Sequence, residues 1–203
     1  MSLSYLIPEG GTEICYEVKK SRFIARLHYV TNREQAMSAL SQARSDFPDA
    51  RHHCWAYQIG PPTRPTLAAM SDDGEPSGTA GKPILNVLQH KPVGDLMVIV
   101  IRYFGGIKLG AGGLVRAYSH AAQMAFDAMQ SKRHVELDQF SVQCDFSDEQ
   151  SIRHWLSQCE SEIVDVAYSD QVTMRIAMDE NNLDALGAFL ATLKQARLLK
   201  SLS

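Results

Sequence analysis

Residues 96–113 read LMVIVIRYFGGIKLGAGG, and this stretch is the strongest chemical feature of the sequence. Leu96–Tyr103 is an almost unbroken apolar run, which is typical of a buried strand. The run leads into a loop with five glycines and then into an apolar stripe at helical spacing, so we expect a helix from about Leu114 to Gln130. Glycines let the backbone approach a ligand closely, and the amino terminus of a following helix offers free N–H groups to an anion. The stretch therefore predicts a strand–loop–helix unit suited to a phosphate.

The candidate nucleic-acid or phosphate-binding residues are the glycines of this loop and the basic residues expected near it. They are Lys20, Arg22, Arg102, Gly105, Gly106, Lys108, Gly110, Gly112, Gly113 and Arg116. The loop fits neither standard nucleotide fingerprint, because no Lys-Ser/Thr pair follows the glycines and the third glycine of a dinucleotide turn is missing. A loop whose glycines serve only tight turns and close packing is the alternative.

A second segment, residues 71–83, reads SDDGEPSGTAGKP and is dense in turn-forming residues. It predicts an ordered functional loop or a linker that leads into a short helix. Asp72, Asp73 and Glu75 form a carboxylate cluster of the kind that can hold Mg²⁺ beside a phosphate. Asp-Asp-Gly is also ordinary turn chemistry, so both interpretations stay open.

A third feature is the run of His52, His53 and Cys54 on an expected strand. Adjacent side chains on a strand point to opposite faces, so these three cannot bind one metal ion together. A histidine that faces a cleft is a candidate general base, and Cys54 is a candidate nucleophile. The residues assigned to a possible cleft are His52, His53, Asp72, Asp73 and Lys82. We expect no bound metal and no resident cofactor.

The last third of the chain predicts a separate α+β domain. Phe140, Val142 and Cys144 alternate with polar residues, and Phe146 continues the pattern, which indicates a strand with one buried face. A helix, a hairpin, a second helix and a short final strand follow. The order β-α-β-β-α-β is the ferredoxin-like arrangement. The predicted fold class is thus α+β with two domains, an N-terminal β/α domain of residues 1–135 and a ferredoxin-like C-terminal domain of residues 136–203.

The charge of the 203-residue chain differs between these two parts. The whole chain has a net charge of −3, which by itself argues against a nucleic-acid partner. Residues 1–135, however, hold 15 Lys and Arg against 11 Asp and Glu, a net charge of +4, whereas residues 136–203 hold 5 against 12, a net charge of −7. A polyanion should therefore bind the first part and avoid the second.

The cysteines and the hydropathy pattern indicate where in the cell the protein is expected. The four cysteines show no C-x-x-C pair, so neither a zinc ribbon nor a disulfide framework is indicated. The longest purely apolar run, Leu96–Ile101, is far shorter than a membrane span. We expect a cytoplasmic protein without a membrane partner.

Four segments carry a family resemblance: KKSRFIA from Lys19, HHCWAY from His52, SDDGEPSGTAGKPIL from Ser71 and RYFGGIKLGAGGLVRAYS from Arg102. They resemble the signature of the IMPACT family, and the whole chain resembles its bacterial YigZ-type members. The resemblance implies an N-terminal domain similar to the second domain of small-subunit ribosomal protein five. It also implies a C-terminal domain similar to the ferredoxin-like domain five of elongation factor G. The eukaryotic relatives act in translational control, through a kinase pathway that bacteria lack.

These observations favour a regulatory protein associated with translation, without catalysis of its own, that binds RNA, the ribosome or a translation factor. The alternative is an enzyme that binds a nucleotide or a phosphorylated small molecule at the glycine-rich loop. A third hypothesis, compatible with the first, is an adaptor whose acidic C-terminal domain binds a basic partner.

Overall fold

The structure, a computed structural model, describes residues 4–134, 137–159 and 161–199. They form two compact units, a larger one spanning Tyr5–His134 and a smaller one that takes in the described residues after His134. Both units combine helices with antiparallel sheets, which confirms the α+β prediction. The predicted boundary between residues 135 and 136 lies outside the described residues. No helix in the described ranges is long and apolar enough to cross a membrane.

The larger unit is built on a five-stranded antiparallel sheet. Its elements are β1 Tyr5–Pro8, β2 Thr12–Val18, β3 Ser21–Tyr29, α1 Arg33–Asp46, β4 His52–Ile59, β5 Leu67–Ser71, α2 Gly81–Gln89, β6 Leu96–Tyr103, α3 Ala111–Asp127 and β7 Ser131–His134. The strand order is β2-β3-β6-β4-β5, and β1 pairs separately with β7. Helix α1 covers one face of the sheet, and α2 and α3 cover the other.

Strand β6 lies in the middle of the sheet and is buried on both faces. Leu96, Val98 and Val100 pack beneath α2 and α3, whereas Met97, Ile99 and Ile101 pack beneath α1. A strand that alternates between two hydrophobic cores needs apolar residues at every position, which explains the unbroken apolar run in the sequence. The bounds of β6 agree with the prediction.

The ends of two helices deserve a closer description. Helix α1 is capped by Asn32, whose side chain accepts a hydrogen bond from the Gln35 N–H at 2.9 Å. Helix α3 begins at Ala111, three residues before the expected start at Leu114, because glycines that were assigned to the loop form its first turn. The correction matters, since it moves the free N–H groups of the helix into the glycine-rich segment.

The smaller unit has the predicted βαββαβ order. Its elements are β8 Asp138–Cys144, α4 Glu149–Ser157, β9 Ser161–Tyr168, β10 Val172–Met178, a short 3₁₀ turn Glu180–Asn182, α5 Leu183–Leu190 and β11 Arg197–Leu199. The sheet order β11-β8-β10-β9 places the first and third strands of the unit side by side at its centre, as expected for a ferredoxin-like domain. Phe146, expected on the buried face, lies beyond the end of β8 and is 56% exposed.

Candidate functional site

A cavity of about 340 Å³ lies where β4 and β6 approach the amino terminus of α3. We call it the basic cleft, because Arg51, Arg102 and Lys108 line it. The other residues that line it are His52, Glu75, Pro76, Phe104, Leu109, Gly110, Ala111 and Leu114. The cleft therefore brings together the glycine-rich loop, the segment of residues 71–83 and the His-His-Cys run, which are far apart in the sequence.

The register of the sheet places two cleft residues side by side. His52 on β4 lies directly opposite Arg102 on β6, and both side chains are on the face covered by α2 and α3. The Nδ1 atom of His52 lies 2.9 Å from the carbonyl oxygen of Asp73. Since a carbonyl oxygen only accepts hydrogen bonds, Nδ1 is the donor, and in the neutral ring Nε2 is left as an acceptor. His52 is thus held in one orientation at the cleft.

Arg102 and Glu75 form a buried ion pair in the wall of the cleft. The Nη1 atom of Arg102 donates to Oε1 of Glu75 at 2.6 Å, and the two side chains are 8% and 4% exposed. The Tyr118 hydroxyl donates to the same oxygen at 2.8 Å, and burial raises the pKa of Tyr118, so this hydroxyl keeps its proton. The Nε atom of Arg102 has no partner within the described chain. One buried N–H of Arg102 is therefore left to a ligand or a water molecule.

The charge of Glu75 is thus neutralised by Arg102, whereas the other two basic residues of the cleft are not neutralised. Arg51 and Lys108 are exposed and make no ion pair with any residue that the structure describes. The cleft therefore carries an excess of positive charge.

The amino terminus of α3 adds to this positive potential. Gly110 is the N-cap residue, and it supplies no side chain to cap the helix. The first helical bond runs from the Leu114 N–H to the Gly110 carbonyl at 2.9 Å, so the N–H groups of residues 111–113 have no acceptor within the helix. The first turn contains no acidic residue. Since Gly110 and Ala111 line the cleft, the positive end of the helix dipole is directed to the same place as the basic side chains.

The five glycines of the loop have different tasks. A Cβ atom on Gly105 would lie 1.9 Å from the Lys20 carbonyl oxygen, and one on Gly113 would lie 2.9 Å from Cβ of Leu109. Both positions need glycine for close packing, so the packing alternative explains them better than phosphate binding does.

The positions of the remaining three glycines have space for a Cβ atom. Gly106 and Gly110 have φ angles of +85° and +74°, which favour glycine, and a Cβ atom on either would meet nothing within 4 Å. Gly112 is limited only by the Arg116 side chain, at 3.6 Å. Of the loop's glycines, Gly110 is the one that lines the basic cleft.

The acidic residues of the 71–83 segment hold the segment itself in place. The Asp72 carboxylate accepts hydrogen bonds from the N–H groups of Gly78, Ala80 and Gly81, at 2.8–3.0 Å. Burial acts to raise the pKa of Asp72, but these three bonds outweigh it and hold the pKa below its usual value. Asp73 accepts from the His53 N–H at 2.7 Å and pairs with Arg44 at 3.0 Å. The segment is therefore an ordered loop that begins α2.

The positions of Asp72 and Asp73 argue against the magnesium site that the sequence left open. Both oxygens of Asp72 and both oxygens of Asp73 are used within the fold, and neither residue lines the basic cleft. Of the described residues, no three His, Cys, Asp or Glu side chains are grouped closely enough to hold a metal ion. The sequence indicated Glu75 only as a candidate magnesium ligand. In the structure it is the acidic residue of this segment that lines the cleft.

Cys54 is not the nucleophile that the sequence allowed. It is fully buried, and its thiol donates to the Asp72 carbonyl oxygen at 2.9 Å. Burial raises the pKa of Cys54 to about 12, so the thiolate form is absent near neutral pH. His53 is 5% exposed and faces α1, on the other side of the sheet, and burial lowers its pKa. Of the His-His-Cys run, His52 is thus the residue at the cleft.

The other predicted basic residues lie elsewhere. Lys20 is in the β2–β3 turn, and Arg22 stacks on Tyr103 at 4.7 Å on the face of α1. Lys82 is exposed in the first turn of α2 and is not among the residues that line the cleft. Arg116 lines a different cavity. Sequence reasoning missed Arg51 as a cleft residue, although its position directly before His52 was a usable signal.

Two family models match the chain. The model of the Impact N-terminal domain matches residues 19–126, which include the whole basic cleft, and a domain of unknown function (DUF1949) matches residues 142–197. IMPACT family member YigZ of Escherichia coli is 37% identical over 195 residues, which cover 96% of each chain. An IMPACT family member of Haemophilus influenzae is 36% identical over 96% of this chain and 95% of its own. A crystal structure of a hypothetical protein has a TM-score of 0.72 at 37% identity, with 98% of this chain and 97% of that chain covered.

Proposed function

The chain belongs to the IMPACT family, and on that basis we propose that it is a translation-associated regulatory protein that binds RNA through the basic cleft. The translation-related role is suggested by the family, whose eukaryotic members the resemblance places in translational control. One observation carries the RNA-binding part: Arg51, Arg102, Lys108 and the uncapped amino terminus of α3 converge on one cavity. Each of these groups binds phosphate in other proteins.

A nucleic acid fits this cleft better than an isolated anion does. Phe104 lines the cleft, is 55% exposed and lies 5.6 Å from the Arg102 guanidinium. An exposed aromatic ring beside cations is typical of surfaces that bind single-stranded nucleic acid, because bases stack on the ring while the cations contact the phosphates. RNA is the expected form in the setting of translation, either free or within the ribosome.

The charge distribution supports the same assignment. The part that holds the cleft has a net charge of +4, and the part that follows has a net charge of −7. A polyanion is attracted to the first and repelled by the second. The proposed similarity to domains of small-subunit ribosomal protein five and elongation factor G fits a ribosomal partner, and a translation factor in that setting is a further candidate. The protein acts by binding in this proposal, without a catalytic step.

The test compares two double variants of equal charge change. Arg51→Glu with Lys108→Glu reverses the two unpaired charges of the cleft, whereas Arg33→Glu with Arg64→Glu reverses two exposed charges at the start of α1 and in the β4–β5 loop. Binding of a short single-stranded RNA is followed by fluorescence anisotropy at several salt concentrations. For single strands the salt slope changes by about 0.7 per phosphate contact, so we expect the cleft variant to lose about 1.4 in slope. Equal affinities and slopes for the two variants would contradict the proposal.

The enzyme alternative has one structural observation in its favour. The cavity volume of about 340 Å³ is within the range of small-molecule sites, and His52 faces it. Calorimetric titration with ATP and GTP, each with Mg²⁺, separates the two functions. A nucleotide that binds at micromolar concentration, together with no measurable affinity for RNA, would favour the enzyme.

A further inference from the structure

Strand β2 (Thr12–Val18) is an edge of the five-stranded sheet. In the described chain it pairs with β3 alone, and the other edge is β5. An unpaired edge presents a row of N–H and C=O groups that another strand can bind. Glu13, Cys15 and Glu17 alternate on β2 as exposed residues, so one face of this edge is open to solvent.

The hairpin geometry shows which backbone groups face outward. Lys19 and Lys20 form a two-residue turn with φ angles of 48° and 64°, as in a type I′ turn. Val18 and Ser21 therefore exchange hydrogen bonds next to the turn, and the pattern alternates along the strand. The N–H and C=O groups of Glu13, Cys15 and Glu17 consequently point away from β3. Three residues thus offer hydrogen bonds to a further strand.

A groove of about 680 Å³ runs beside this edge, between β2 and α3. Its apolar wall includes Tyr16 and Val18 from β2, Val87 from α2 and Val115 from α3. Val115 is 38% exposed, although valine is usually buried in a helix of this kind. The groove has twice the volume of the basic cleft and lies beside the edge of a sheet, so it has room for an extended polypeptide segment.

The charged residues of the groove have one sign. Lys19 lies at one end of β2, and Arg116 projects from α3. Of the described residues that line the groove, none is Asp or Glu. The acidic side chains of β2 are on the opposite face of the strand, where Glu13 pairs with Arg26 at 2.6 Å. The groove therefore attracts carboxylates.

We propose that this groove binds an extended acidic segment of a partner protein, which pairs with β2 as a sixth strand. The backbone of the segment bonds to Glu13, Cys15 and Glu17. Alternate side chains enter the groove, where apolar residues contact Val18 and Val115 and carboxylates contact Arg116. RNA matches the charge of the groove, but it has neither the backbone pattern of a strand nor side chains for an apolar wall. The peptide site adjoins the basic cleft, since Leu109 lines both, but the proposal does not depend on RNA binding.

The probe is a short synthetic peptide in which threonine alternates with valine or glutamate, with a matched peptide that carries lysine in place of glutamate. The full-length ¹⁵N-labelled protein is titrated with each. We expect the amide signals of Glu13, Cys15 and Glu17 to shift with the glutamate peptide, with a Kd of about 1 mM or below. The lysine peptide and the Lys19→Glu, Arg116→Glu double variant should each bind about tenfold more weakly or not at all.

The Arg33→Glu, Arg64→Glu double variant is the control of equal charge, and it should bind the glutamate peptide as the wild type does. Cys15→Pro removes an outward N–H and should abolish binding, while circular dichroism checks that the sheet is retained. The proposal is overturned if the β2 amides do not shift, or if Lys19→Glu with Arg116→Glu has no effect. It is also overturned if single-stranded RNA shifts the amide signals of Glu13, Cys15 and Glu17 as the peptide should, since the occupant is then RNA. A shift of these signals with protein concentration alone overturns it as well, since the occupant is then a second copy of this chain.

Discussion

Replacement of Glu75 by glutamine should make the protein less stable and at the same time a better phosphate binder. Glu75 accepts hydrogen bonds from Arg102 at 2.6 Å and from Tyr118 at 2.8 Å, and its side chain is 4% exposed. The substitution keeps the shape of the side chain and removes its charge. The Arg102 guanidinium is then buried without a counter-charge, beside the basic cleft.

The loss of stability follows from the burial of this pair. Removal of one partner from a buried ion pair costs about 3–5 kcal/mol, because the other charge is left uncompensated. Glutamine retains one oxygen that can accept a hydrogen bond from Arg102 or Tyr118, so we expect the lower end, about 3 kcal/mol. Urea denaturation of Glu75→Gln and of the wild type measures this difference. Glu9→Gln, at an exposed position, is the control for the change in charge.

The gain in binding follows from the same charge. Without Glu75, the cleft has one more unit of net positive charge close to a bound phosphate. Two unit charges 4 Å apart in water attract each other by about 1 kcal/mol, which corresponds to roughly fivefold tighter binding. Anisotropy with a short single-stranded RNA, below the denaturation range, measures the affinity. A Glu75→Gln protein that is as stable as the wild type, or that binds RNA more weakly, would show that Arg102 does not act at the cleft as described.

Three further predictions concern the framework around the cleft. Gly105→Ala should destabilise the larger unit by more than about 3 kcal/mol in urea denaturation, because its Cβ would lie 1.9 Å from the Lys20 oxygen. Gly110→Ala has room for its Cβ atom but strains the backbone, since the φ angle of Gly110 is +74°, and it should cost about 1–3 kcal/mol. A larger cost for Gly110→Ala than for Gly105→Ala would contradict this. Burial raises the folded-state pKa of Cys54 from 9.0 to about 12, so the thiol of the unfolded state loses its proton first as the pH rises. The stability of the wild type should therefore fall above pH 9 by up to about 1.4 kcal/mol per pH unit, more steeply than that of Cys54→Ala. Parallel pH profiles of stability for the two proteins would refute this. Asp72→Ala should cost about 1–2 kcal/mol at neutral pH, because the N–H groups of Gly78, Ala80 and Gly81 lose their acceptor. Since the folded-state pKa of Asp72 is lowered, the difference from the wild type should shrink as the pH falls below about 3.8. A difference that does not change with pH would show that these bonds do not depend on the carboxylate charge.

The secondary structure could be predicted where hydrophobic periodicity determined it. The bounds of β6 and the βαββαβ order of the smaller unit follow from unbroken or alternating apolar residues, and both were correct. The start of α3 was placed three residues late, because glycine has low helix propensity and Gly112 and Gly113 were assigned to the loop. Position 113 nevertheless requires glycine within the helix, because a Cβ atom there would lie 2.9 Å from Cβ of Leu109.

The candidate site could be predicted only in part, because its convergence depends on strand register. Arg102 and His52 are neighbours only since β4 pairs with β6 in one particular alignment, which a sequence does not specify. Because the sequence does not specify the strand register, it also did not show that Arg22 and Arg116 lie on other surfaces. Both are basic and close in sequence to segments that line the cleft. The sequence predicted the acidic residues of the 71–83 segment to form one carboxylate cluster. In the fold, Asp72 accepts hydrogen bonds at the start of α2, whereas Glu75 lines the cleft.

The position of bound phosphate can be measured directly from the amides at the amino terminus of α3. In a titration of the ¹⁵N-labelled full-length protein with a short single-stranded RNA, the N–H signals of Ala111, Gly112 and Gly113 should move downfield together, as expected for new hydrogen bonds to phosphate oxygens. The Arg51→Glu, Lys108→Glu variant should show no such shift. If RNA binds while these three amides stay unchanged, the basic cleft is not where this protein contacts RNA.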